Sequence, residues 1–107
     1  MAKRLVDVEH LRSVATLSCY VCKANGVQVH HLLKPSDKRR GMSLRSGDDQ
    51  TLPLCFKCHS ELHTKYGDED KFFKDKIGDE NAGRKKADEL YKRTLWEREH
   101  PEDELPF

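Results

Sequence analysis

Four cysteines and four of the six histidines in this 107-residue chain stand at spacings that suit metal ions. Cys19-x-x-Cys22 and Cys55-x-x-Cys58 are two CxxC knuckles separated by 32 residues. Zinc takes four thiolates in a tetrahedron at ~2.3 Å, and two intervening residues let both sulfurs of a pair reach one ion. Two such pairs complete a closed shell, so the expectation is a structural zinc that closes the intervening loop. The rival, a redox CxxC, is disfavoured by the presence of two motifs and by the lack of a thioredoxin-like βαβ pattern. His59 and His63 lie one helical turn apart and can converge on a second ion. Glu61 falls at the third position of the set, not the second as in HExxH, and points roughly 200° away from His59. His30-His31 ends an apolar stretch. Adjacent strand residues face opposite ways, so both can serve one site only where the strand kinks or ends.

The elements that must position these groups can be read from the pattern. Val6 to Ala15 suits a short helix with Val6, Leu11 and Val14 or Ala15 on one side. Cys19–Cys22 with Asn25-Gly26 reads as a knuckle and turn, and Val27 to Leu33 as a strand stopped by Pro35. Residues 35–50 form a basic, turn-rich loop, and Thr51–Leu54 a short extended piece. A helix from Phe56 to Tyr66 closes at Gly67, and another from Asp68 to Ile77 at Gly78. A third runs from about Glu80 to Arg98, with Ala87, Leu90, Tyr91, Thr94 and Leu95 at helical spacing and its apolar face available for core or dimer packing. His10 and His100, outside both histidine sets, are expected to be ordinary surface residues, and the tail from His100 to Phe107 acidic and loose.

Composition bounds the reading. Hydrophobic and charged residues are each 36% of the chain. A chain this small and this poor in apolar surface leans on a metal staple. No apolar run approaches the ~20 residues of a membrane span, and the start shows no signal-peptide core. The expectation is a cytoplasmic protein with reduced thiols and no membrane partner. The net charge of +1 divides into +5 over residues 1–65 and −4 over residues 66–107. Positive charge gathers around the cysteines and histidines, which suits a phosphate-bearing partner.

The order CxxC, His-His, CxxCH and a further His resembles the HNH endonucleases. Within them it resembles the small HNH proteins of phages and prophages, Ref-type recombination nucleases included. The likeness rests on Val29-His30-His31-Leu32, Arg40-Gly41-Met42-Ser43 and Leu52-Pro53-Leu54-Cys55-Phe56-Lys57-Cys58-His59-Ser60-Glu61-Leu62-His63. It covers roughly residues 10–78. The resemblance implies an α+β fold: a small zinc-stabilised ββα-metal core with flanking helices. Residues 1–78 would form the nuclease core with its four-cysteine zinc site, and 79–107 a C-terminal helix and acidic tail packed on it or extending from it.

The same resemblance implies roles. His30, His59 and His63 stand at the catalytic-metal positions and His31 at that of the general base. Where the family has an Asn that holds the base, this chain has Gln50. Gln50 with its longer arm, or Asp48, would take that place. Lys38, Arg39, Arg40 and Arg45, in the loop between the motif strands, would contact phosphates, with Lys65 a further candidate. The implied activity is metal-dependent hydrolysis of DNA phosphodiester bonds, on duplex or single strands, in phage-type DNA processing or recombination, with a recombination protein as the implied partner. The implied cofactors are structural zinc and a divalent catalytic ion (magnesium, manganese, nickel or zinc). The second reading is a zinc-stabilised nucleic-acid-binding module with an inactive site. A third is a scaffold that uses its last helix as a partner surface.

Overall fold

Asp7 starts the first helix. Its carboxylate accepts the His10 backbone N–H, and α1 runs Val8–Ala15 from that cap. These observations come from a computed structural model that describes residues 5–33 and 46–100. The helix begins later than its apolar residues suggest, and Val14 of the expected side is buried together with His10 while Val6 is not. His10 and Val14, one turn apart, are each 1% exposed, whereas Val6 is 65% exposed. The reason is the partner helix: His10 Nδ1 meets Thr94 Oγ1 at 2.6 Å and its ring packs edge-on against Tyr91. His10 is therefore a core residue and not the surface residue expected.

β1 (Val27–His31) and β2 (Thr51–Cys55) pair antiparallel, with His31 opposite Thr51, His30 opposite Leu52 and Val27 opposite Cys55. All five residues of β2 are buried. On β1, Gln28 and His30 share one face and His31 takes the other, as strand alternation requires. Pro53 contributes no N–H to the ladder, but its carbonyl accepts from Tyr20 N–H at 2.9 Å, joining the first knuckle to β2.

α2 (Phe56–Glu61) follows β2 directly and continues into a π-helical turn, Leu62–Tyr66. Gly67 ends that turn with φ +66° and donates its N–H to Leu62 O, the wider i to i+5 bond. The expected single helix is thus an α-turn run into a π-turn, with His59 on the first and His63 on the second. α3 (Glu69–Ile77) is capped by the Asp68 carboxylate and stopped by Gly78 at φ +96°. α4 (Ala82–Glu99) packs against β2, α1 and α3.

The chain is thus α+β, with one two-stranded antiparallel sheet and four α-helices among the described residues. Its core joins Leu32, Leu52, Leu54 and Leu62 to Phe72, Phe73, Ala87 and Leu90, with Cys19, Cys55 and Cys58 in the same cluster. None of the described helices is long and apolar enough to cross a membrane.

Candidate metal centres

Each cysteine reaches its place through backbone geometry near a turn. Cys19 N–H donates to Ala24 O and its own carbonyl accepts Lys23 N–H, folding the first knuckle back on itself. Lys23 takes φ +67° to make that reversal. In the second knuckle the Cys55 sulfur caps α2, accepting the Cys58 N–H at 3.5 Å. The four sulfurs lie within 4.8 Å of one another, and Cys22 Sγ is 3.5 Å from Cys55 Sγ. Two thiolates on one zinc ion at a tetrahedral angle stand about 3.8 Å apart. The cluster could therefore hold a structural zinc ion, and its donor set, four sulfurs among the described residues, is the one zinc prefers in closed sites.

Electrostatics agree with that fit. Burial pushes the Cys19 thiol up, but the backbone N–H groups of Cys22, Cys55 and Val21 outweigh it and bring it down to about 6. Cys58 moves the other way, raised by burial and by the sulfurs of Cys55, Cys19 and Cys22. Thiolates this close repel one another, and a dication removes that repulsion.

The second cluster joins β1 to the α2 and π-turn segment. His30, His59 and His63 each offer a ring nitrogen within 4.8 Å of the others. Their ring centroids are 5.0 Å apart for His30–His59, 5.7 Å for His30–His63 and 4.7 Å for His59–His63. His59 Nδ1 sits 2.7 Å from the Gln28 amide oxygen, so that nitrogen carries the proton and donates. This leaves His59 Nε2 facing His63 Nε2 at 3.1 Å. Two imidazole nitrogens at ~2.05 Å from one ion at a tetrahedral angle stand about 3.3 Å apart. Burial, then the neighbouring His30 and His63, hold the His59 imidazole below its usual titration range, which favours the neutral form that binds metal. The structure thus brings His59 and His63, paired by their spacing, together with His30, which the resemblance assigned to the same ion. Glu61, judged unsuited to this ion, pairs instead with Lys76 at 3.0 Å.

His31 lies outside this ring cluster, on the other face of the last residue of β1. Its Nε2 is 2.8 Å from Asp48 Oδ1. Asp48 is 1% exposed, and its second oxygen accepts the Asp7 N–H at 2.8 Å. The Asp48 N–H in turn donates to Leu5 O at 2.9 Å. Gln50 does not hold His31. Its amide nitrogen donates to Asp88 Oδ1 at 2.7 Å and to Asp49 O at 3.3 Å, because α4 brings a carboxylate to it. Of the two residues considered for holding His31, Asp48 is the one in contact.

Lys65 is exposed, and its ammonium lies over the Tyr66 ring, 5.6 Å from the centroid. Lys38, Arg39, Arg40 and Arg45 fall outside the described residues. Two supporting residues escaped the sequence reading. Gln28 could have been found, because period-two alternation puts it on the face of His30. Glu69, whose carboxylate meets His30 Nε2 at 2.8 Å, lies 39 residues from it and carried no signal.

The chain belongs to a family described as "Protein of unknown function (DUF968)", whose model matches residues 2–82. Both cysteine pairs and both histidine sets fall inside that span. No curated protein and no solved structure matches the chain.

Proposed function

We propose that this member of the family is a metal-dependent endonuclease of the HNH, ββα-metal kind that hydrolyses DNA phosphodiester bonds. The observation that carries the reading is the pairing of two adjacent strand residues with different tasks. His30 joins His59 and His63 in a three-imidazole cluster, while His31 turns to a buried carboxylate. A zinc ion on the four-cysteine cluster would fasten the segment before β1 to β2 and α2. The likeness to phage and prophage HNH proteins favours a role in DNA processing or recombination.

The chemistry follows from the chain's own groups. A carboxylate at Asp48 can only accept, so His31 would donate from Nε2 and keep a lone pair on Nδ1. Among the described residues no hydrogen bond engages that Nδ1. It is the atom that takes a proton from an attacking water, and Asp48 stabilises the resulting imidazolium. His30, His59 and His63 would hold a divalent ion, which when bound supplies Lewis acidity for the phosphate and the leaving oxygen. Three neutral imidazoles leave the full charge of that ion for the phosphate, and they suit first-row transition metals better than magnesium.

The test pairs metal counting with cleavage. Wild-type protein should bind one tight zinc and one exchangeable ion, and should cut labelled duplex or single-stranded DNA with manganese, nickel, cobalt or zinc. His59→Ala and His63→Ala should keep the tight zinc while losing the exchangeable ion and the cutting together. Variants that lose the ion but cut as before would overturn the site. DNA binding without cutting under every metal would favour the zinc-stabilised binding module.

A further inference from the structure

We propose that Glu69 is a positioning residue. It holds His30 in the tautomer protonated at Nε2, turns the unprotonated Nδ1 toward the point shared with His59 and His63, and lends its charge to that ligand. The inference rests on the metal-site reading above.

The contacts favour one assignment of protons. Glu69 Oε2 lies 2.8 Å from His30 Nε2 and 2.9 Å from Leu33 N. The Leu33 amide can only donate, so this oxygen is an acceptor there. A neutral imidazole has one donor nitrogen and one acceptor nitrogen. Facing a carboxylate, His30 must donate from Nε2, and its lone pair is then on Nδ1. Both side chains are 2% exposed, so water does not compete for either. Glu69 is the first residue of α3, where the helix end favours a negative charge. Gln28 gives His59 the opposite tautomer, protonated at Nδ1 with Nε2 turned to His63. Two histidines from different elements, given opposite tautomers by two different partners, would present lone pairs to one locality. A carboxylate on the far nitrogen also raises the basicity of a ligating imidazole, which the neutral Gln28 amide does less.

The experiment uses the full chain with its structural zinc, with nickel as the probe for the second site. Long-range proton–nitrogen NMR reads the His30 tautomer before nickel is added, calorimetry reads nickel affinity, and melting reads the fold. Wild type should show His30 protonated at Nε2. Glu69→Ala should mix the tautomers and weaken nickel binding by about 10- to 100-fold. Glu69→Gln keeps an acceptor oxygen but no charge. It should keep the tautomer and weaken nickel by about three- to tenfold, and it carries the test if the alanine variant does not fold. His30 protonated at Nδ1 in wild type would overturn the inference. So would a folded Glu69 variant that binds nickel as wild type does, and in that case the metal site itself stands. Wild type that binds no nickel beyond its zinc, and is indistinguishable from His59→Ala, would overturn the metal-site reading and this inference with it.

Discussion

Replacing Asp48 with Asn changes one atom and should cost most of the catalysis. One Asp48 oxygen accepts from His31 Nε2 and the other from the Asp7 N–H, both at 2.8 Å. An asparagine has a single carbonyl oxygen. The Asp7 amide, which can only donate, claims that oxygen, and the new NH2 then faces His31. His31 must answer with a lone pair at Nε2, which moves its proton to Nδ1 and removes the base from the side where water would be activated. Loss of the imidazolium's counter-charge adds to the effect. A wrong tautomer of this kind lowers turnover by about 10⁴-fold in a well-studied hydrolase triad. That corresponds to ~5.4 kcal/mol at 1.36 kcal/mol per tenfold. Here a drop of about 10³- to 10⁴-fold is expected in single-turnover plasmid cleavage at saturating metal. Metal stoichiometry should be unchanged, because Asp48 does not touch the three-histidine cluster. Cleavage by Asp48→Asn within about threefold of wild type would refute the assignment of His31 as a base held by Asp48.

Other consequences follow from the same structure. Cys55→Ser removes a buried sulfur of the four-cysteine cluster that also caps α2, so native mass spectrometry should show the tight zinc lost and the thermal transition broadened or absent; a strong chelator should do the same to wild type. Asp7 is held below the usual carboxylate range chiefly by its hydrogen bond to Arg98, an effect that burial partly opposes, with help from the His10 N–H and Tyr91 OH. The unfolded chain binds that proton more readily, so the contribution is full above about pH 4 and is lost as pH falls through the folded value. Asp7→Asn keeps the helix cap and should flatten the acid limb of a stability–pH curve there, with a cost near neutrality of about 0.5–1 kcal/mol. Gly83→Ala would put a Cβ 2.5 Å from Phe73 Cε2. The overpacking should cost about 1–3 kcal/mol, read as a lower Tm.

The parts of this molecule that were legible beforehand are those whose signal is local. CxxC spacing, the i to i+4 histidines, the glycine stops at Gly67 and Gly78, and the apolar run of β1 each reside within one element, and the structure realises each of them. What escaped depends on contacts between distant segments. His10 looked like a surface histidine because the residues that bury it, Tyr91 and Thr94, lie more than 80 positions away. Gln50 was a natural substitute for an amide that holds the base, until α4 brought Asp88 within 2.7 Å and took its nitrogen. Glu69 gave no hint, since a glutamate opening a helix usually faces water, and here it is buried on His30. The π-turn was also hidden, because the residues of Leu62–Tyr66 suit an ordinary helix and only the Gly67 N–H reaching back to Leu62 widens the turn.

The most direct measurement is conversion of supercoiled plasmid by purified protein, with manganese, nickel, zinc and magnesium added in turn, beside a His31→Ala variant shown to keep its zinc. Wild type should cut, most strongly with transition metals, and His31→Ala should cut at least about a thousandfold more slowly. Equal cutting by the two proteins would contradict it, and so would wild type that leaves duplex and single-stranded DNA intact under every metal.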